Sequence, residues 1–301
     1  MIGRHKFFTI FYMVFEDCAL VVQGGGTRGI YAAGVLDALM DLGIDFPYII
    51  GTSAGALSAS NFISGDRGRT KYVMETSMVS LKFVSAARFA VKGTLFNFDY
   101  LINQVPVSVS PFNYQAFHDS HSRFLVATTS LETGEPVYFE KGKIDDFFNA
   151  IAASSSLPYI AKPVPVSGHL YMDGGPVAAI PFRKAIEDGY QKIIVIETRD
   201  KTYRKKPYSQ AAIARAKRFY GEHKEFTESL IKGNDTYNAD VEELEKLKEA
   251  GRVFVIQPEN PVHVGRAERK KAKLEALYQQ AFEQTMRMKD EILAYLGGEA
   301  K

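Results

Sequence analysis

Gly51-Thr52-Ser53-Ala54-Gly55 is a G-x-S-x-G pentapeptide between an apolar run suited to a buried strand and a small-residue run suited to a packed helix. A serine on a sharp strand-to-helix turn is held at strained backbone angles, and its neighbours must be small to avoid collision. Its hydroxyl then projects past the sheet, while the following helix aims amide hydrogens and a positive dipole end at developing negative charge. The spacing therefore predicts a nucleophile for acyl transfer at Ser53, with Gly51, Thr52 and Gly55 shaping the elbow. The plainer alternative is a serine that caps a helix.

Upstream, Gly24-Gly25-Gly26-Thr27-Arg28-Gly29 also joins a strand-like run to a helix-like one. It matches G-x-G-x-x-G, which holds a dinucleotide pyrophosphate when an acidic residue ends the next strand. Here the next strand, 46–50, runs into the serine elbow, and Asp45 stands before it. Two adjacent loops at the ends of parallel strands account better for both motifs: glycine amides facing Ser53 bind an oxyanion. Arg28 either orients the loop or meets an anionic substrate, and a surface ion pair explains it equally well.

A serine hydroxyl needs a proton acceptor. None of the six histidines, His5, His118, His121, His169, His223 and His263, sits in a motif, although His169 lies on the strand leading to Asp173. Asp173 heads Asp173-Gly174-Gly175 at an expected strand end, where missing side chains let a carboxylate approach another loop. Alone, such a tripeptide is more often a turn.

Together the three motifs resemble the patatin-like phospholipase family. Ala152-Ala153-Ser154-Ser155-Ser156-Leu157-Pro158, ahead of the aspartate, adds to the resemblance, which covers roughly residues 18–200. It implies an α/β fold of three α/β/α layers with a mostly parallel central sheet, followed by a helical, charged C-terminal extension. It also implies a serine–aspartate dyad without histidine, in which Ser53 attacks an ester carbonyl and Asp173 takes the proton. The oxyanion hole would come from Gly24, Gly25, Gly26, Arg28, Gly29 and Ala54. Asp-Gly-Gly departs from the family's commoner Asp-Gly-Ala by one methyl at Gly175. The implied activity is hydrolysis of lipid acyl esters with no cofactor and no metal. A small-ester carboxylesterase, an acyltransferase or a non-catalytic lipid-binding or regulatory module are the competing readings, and a serine peptidase is a weaker one.

The elements that must position these residues can be read around them. Apolar runs at 19–23, 46–50 and 192–197 suit buried parallel strands, with helices at 30–42 and 54–63 between the first two. Residues 124–129 and 136–140 suit a hairpin, and 163–166 with 169–172 a second one. Helices are expected at 71–90, 145–155, 181–189, 209–232, 239–250 and 266–296, a strand at 252–257, and loop or extended chain at 106–111. Domain organisation is read as an extension over 1–15, a catalytic core over 16–200 and a mainly helical part over 201–301 packed on the same domain.

Composition excludes several classes. The 301 residues are 46% hydrophobic and 24% charged, so the chain suits a large folded core and not disorder. Thirty-seven basic against 35 acidic residues leave +2, too balanced for a nucleic-acid partner. The single cysteine, Cys18, rules out an intramolecular disulfide framework. No run approaches the roughly 20 apolar residues of a spanning helix. Arg4, His5 and Lys6 precede an apolar run over 7–15, but Glu16-Asp17-Cys18 follows where a signal peptide needs small residues. These features suit a cytoplasmic protein. Two basic clusters, Lys201, Arg204, Lys205 and Lys206, and Arg266, Arg269, Lys270, Lys271 and Lys273, read either as solvated helix faces or as peripheral membrane contacts that attract anionic headgroups. Phe83, Phe89, Phe96, Phe98 and Phe112 are candidates for an acyl-chain lining. No feature speaks to oligomeric state.

Overall fold

The computed structural model describes residues 13–77, 80–97 and 99–297. The chain opens with β1 (Met13–Val14) and β2 (Cys18–Val22), and the glycine loop passes through one tight turn into α1 (Gly29–Asp41). β3 (Ile44–Asp45), β4 (Tyr48–Thr52), α2 (Ala54–Ile63), α3 (Arg69–Thr76) and α4 (Ala86–Lys92) follow. A π-helical stretch over Tyr100–Val109 leads to α5 (Tyr114–Asp119), then β5 (Arg123–Ser130), β6 (Pro136–Glu140) and α6 (Phe147–Ser154). Next come β7 (Val164–Val166), β8 (His169–Asp173), α7 (Phe182–Glu187) and β9 (Lys192–Ile196). The last part holds α8 (Gln210–Tyr220), α9 (Lys224–Glu249), β10 (Val253–Ile256), α10 (Lys271–Arg287) and α11 (Lys289–Leu296).

The main sheet runs β10-β9-β2-β4-β5-β8-β7, with β6 paired to β5. Its first five strands are parallel, and β6 and β8 both pair antiparallel with β5. Successive residues of one strand feed two different cores. Leu20, Val22, Ile49, Val126 and Ile194 face α1, α2, α6 and α10, while Ala19, Val21, Ile50, Leu125 and Val195 face α7 and α9. Strands buried on both faces need continuous apolar runs, which is why these were visible in the sequence. The expected three-layer α/β/α arrangement is what forms. The C-terminal part also supplies β10, in register with β9.

Four expectations need correction. The helix expected over 71–90 is two: Phe83 turns into a cluster with Val73, Tyr100, Leu101 and Val105, and Ser85 caps the restart by accepting from the Arg88 amide. The stretch around Pro106 is helical, wound widely enough to hold a proline inside it. In the next part the break falls at 221–223 and α9 runs on unbroken, because Gly233 is a packing position: a Cβ there would stand 2.9 Å from Pro176 O. The last helix starts at Lys271 and is divided at Met288. Residues 265–270 instead tie to the glycine loop, with Thr27 N donating to Arg266 O (3.0 Å) and Thr27 Oγ1 to Gly265 O (2.8 Å). Of the 1–15 extension, residues 1–12 lie outside the described residues, and β1 pairs with β3 in a short ladder.

Candidate active site

Ser53 follows the last residue of β4 and has φ 56 and ψ −125, left-handed for a non-glycine residue. Such a conformation costs on the order of 1–3 kcal/mol and persists only where its surroundings over-determine it. Here Ser53 N donates to Ser154 Oγ (2.8 Å), Ser154 Oγ donates to Ala127 O (2.6 Å), and Thr52 Oγ1 donates to Ala178 O (2.7 Å). Gly55 lets α2 approach β2, since any Cβ there would stand 2.3 Å from Val22 O. Sequence reasoning gave Ser154 no role. Its local signal was its place in the Ala152–Pro158 run that adds to the family resemblance, at the end of α6.

Sheet register delivers the aspartate. Thr52 pairs with Ala127 and Asp173 with the next residue of β5, Thr128, whose other edge is taken by β6. The ends of β4 and β8 therefore meet on one edge of β5, and Ser53 Oγ donates to Asp173 Oδ2 at 2.7 Å. Gly175 N donates to Oδ1 (2.7 Å), Asp173 N to Ser156 O (3.1 Å) and Thr129 Oγ1 to Asp173 O (2.8 Å). Gly174 closes the turn by accepting from the amides of Val177 and Ala178. Asp173 is only 2% exposed, and burial pushes its carboxyl up to about 6 against the pull of the Ser53 and Gly175 hydrogen bonds and of Arg266 and Lys205. Among the described residues no histidine lines the cavity over Ser53; His169 is exposed and pairs with Glu132.

The glycine loop lies against this pair. Gly24 N donates to Ala179 O (3.2 Å), Arg28 N to Gly25 O (3.3 Å), and Gly29 N to Gly26 O. Among the described residues no backbone carbonyl takes the amides of Gly25 or Gly26, and both residues line the cavity. Gly26 has φ +59, and a Cβ on it would stand 2.5 Å from Arg266 O. Ala54 lines an apolar annex that shares Gly26, Ser53, Phe96 and Arg266 with the main cavity of about 230 Å³.

Of the expected acyl-chain lining, Phe83 and Phe96 stack at 5.2 Å in the annex. Phe112 belongs to a separate pocket, Phe89 is largely exposed, and Phe98 lies outside the described residues. The basic clusters divide as well. Lys201, Arg204 and Lys206 are exposed, while Lys205 and Arg266 line the cavity. Lys271 and Lys273 pair with Glu75 and Glu268. Among the described residues no His, Cys, Asp or Glu group gathers as a metal site, and no helix is long and apolar enough to cross a membrane.

A family model described as patatin-like phospholipase matches residues 20–186, a span holding the glycine loop, the serine elbow and the aspartate. The chain belongs to the patatin-like phospholipase family. A second model, described as a domain of unknown function (DUF6363), matches 223–297 of this patatin-like chain. The uncharacterized protein YjjU of Escherichia coli (strain K12) is 31% identical over 81% of the chain and 69% of its own length. Mouse patatin-like phospholipase domain-containing protein 7 is 29% identical over 61% of the chain but 14% of its own length, and lysophospholipase nte1 of Aspergillus terreus 28% over 53% and 10%. The chain thus spans a small part of the last two. Among solved structures, VipD from Legionella pneumophila shares the patatin-like fold, with TM-score 0.52 and 14% identity over 92% of this chain and 67% of that one.

Proposed function

We propose that the chain is a serine hydrolase of lipid acyl esters, of phospholipase A or lipid acyl hydrolase type, working through Ser53 and Asp173. The observation that carries this reading is the 2.7 Å hydrogen bond from Ser53 Oγ to a buried carboxylate. In the first half-reaction Ser53 Oγ attacks the ester carbonyl and its proton passes to Asp173 Oδ2. The tetrahedral intermediate collapses with cleavage of the ester C–O bond, and the departing alcohol takes the proton from Asp173. Water then attacks the acyl-enzyme, giving its proton to Asp173. Collapse returns that proton to Ser53 Oγ and releases the carboxylic acid. Asp173, titrating at about 6, is a stronger base than an ordinary aspartate yet mostly ionised at neutral pH.

The oxyanion hole is narrowed to the amides of Gly25 and Gly26, with Ala54 at the start of α2, because those of Gly24, Arg28 and Gly29 already serve carbonyls. Losing one such donor costs roughly 3–4 kcal/mol in comparable sites. The annex beside Ser53, walled by Phe83 and Phe96, suits the acyl chain. Residues 16–200 are read as the catalytic core and 201–301 as part of the same domain, consistent with β10 on the shared sheet. A cytoplasmic location with peripheral membrane contact through Lys201, Arg204 and Lys206 completes the reading.

The test is release of fatty acid from a lysophospholipid and a p-nitrophenyl ester by the wild type, Ser53→Ala and Asp173→Asn. Turnover by the wild type alone supports the dyad. Full activity in Asp173→Asn would remove it, and no turnover by folded wild type would favour a non-catalytic lipid-binding role.

A further inference from the structure

The cavity over Ser53 is lined by four cations, Arg28, Arg199, Lys205 and Arg266. Among the described residues none has a carboxylate within ion-pair distance. Arg28 is 6% exposed and its Nε has no hydrogen-bond partner; the buried Nε of Arg199 lacks one too, and Nη1 of Arg199 reaches only Val262 O at 3.4 Å. Taking a charge out of water without a partner costs several kcal/mol, so such a cluster calls for an anion from outside. Burial and mutual repulsion disfavour the charged forms of its members. Burial, with Arg199 and Arg266 nearby, pulls Arg28 down to about 10, and burial with Arg266 pulls Lys205 down to about 8 against the opposing pull of Asp173 and Asp240.

We propose that Arg28, Arg199, Lys205 and Arg266 form a subsite for a phosphate monoester carried by the acyl substrate, so that the enzyme prefers acyl esters with an anionic phosphate headgroup. The proposal rests on the hydrolytic reading of Ser53 and Asp173. Three of the four cations lie outside residues 20–186, so the specificity wall is built by the chain beyond the matched phospholipase region. Guanidinium groups grip phosphate oxygens in pairs, and a monoester carries up to two charges.

A choline headgroup is disfavoured by two observations. A quaternary ammonium would face four cations. It would also find two of the cavity's aromatic rings taken, Tyr203 by Arg199 at 4.1 Å and Tyr237 by Lys205 at 4.3 Å.

The experiment measures equilibrium binding to the full-length Ser53→Ala protein, which needs no turnover. The ligands are 1-oleoyl-glycerol 3-phosphate, its phosphocholine analogue and monoolein, each below its critical micelle concentration, and inorganic phosphate alone. The expected order places the phosphate monoester about tenfold or more ahead of both other lipids. Adding Arg199→Gln or Lys205→Gln, both at half-buried positions, should cost the monoester about tenfold and monoolein less than about threefold. Thermal melting checks that each variant folds, and two independent variants guard against the loss of one. Equal affinity for all three lipids, or equal losses in the variants, would overturn the proposal. So would inorganic phosphate binding as tightly as the monoester, since the site would then hold free phosphate. Headgroup discrimination without wild-type turnover would sink the hydrolase reading and leave the subsite. Turnover without discrimination would do the reverse.

Discussion

The proposed dyad and the four cations share one cavity but are held in different ways. Ser53 and Asp173 stand at the ends of β4 and β8, and the groups that hold them in place are hydrogen-bonded within the fold: Ser154 to Ala127, Thr52 to Ala178, Thr129 to Asp173. Arg199, Lys205 and Arg266 stand on segments after β9 and before α10, and their side chains have cavity, ring faces or a single long hydrogen bond for neighbours. The proposed chemistry belongs to the densely hydrogen-bonded part and the proposed headgroup choice to the sparsely bonded one. That division predicts that damage to the two parts will read out differently.

The largest effects belong to the dyad. Ser53→Ala or Asp173→Asn should lower kcat about a thousandfold or more on every ester, with or without a phosphate. Asp173→Asn should at the same time stabilise the fold. The folded carboxyl is raised from 3.8 to about 6, so its stabilising contribution is complete below pH 4 and is lost as pH rises through 6. Above pH 6 the ionised buried carboxylate costs about 3 kcal/mol, which the asparagine does not carry. A higher melting temperature at pH 7.5, and no gain at pH 3.5, checks the sign. A variant both inactive and less stable at pH 7.5 would mean that the ionised carboxylate holds the site together.

Next comes Ser154, which supports the elbow without facing the carbonyl carbon. Ser154→Ala leaves the Ser53 amide and Ala127 O without their partner, so stability should fall by about 1–3 kcal/mol. kcat should drop about tenfold with KM little changed, because the elbow loosens and the binding wall does not. Stability lost at constant kcat would assign Ser154 to the fold alone. pH sharpens the comparison further. Because Asp173 must be ionised to take the proton, kcat/KM should rise tenfold per unit below about pH 6 and level above it. A profile with no inflection there would count against the aspartate as base.

The smallest effect concerns the exposed Lys201 and Lys206. Replacing each with glutamine should leave turnover of a dispersed ester within about twofold, and weaken binding to anionic vesicles by about 1 kcal/mol per charge. Vesicle sedimentation unaffected by both changes would remove these lysines from the membrane contact.

Legibility in the sequence follows the same division. β2, β4 and β9 were readable because strands buried on both faces must be continuous apolar runs, and the glycines beside them mark turns that admit no larger residue. Ser53 and Asp173 were readable from motifs local to each. Ser154 was not, since its role depends on where α6 meets β5. The region between α2 and α5 hid its structure because Phe83, Tyr100, Leu101 and Val105 converge without a period. Lys205 and Arg266 looked like surface charge, and only the fold turns them to the cavity. Gly233 looked like a helix end, when it is the point at which α9 touches the turn after Asp173.

The most direct measurement is the site of fluorophosphonate labelling, located by mass spectrometry on the wild-type protein with Ser53→Ala as control. One adduct is expected, on Ser53, absent in Ser53→Ala and strongly slowed in Asp173→Asn. An adduct on another serine, or labelling of Ser53 at an undiminished rate in Asp173→Asn, would contradict the dyad.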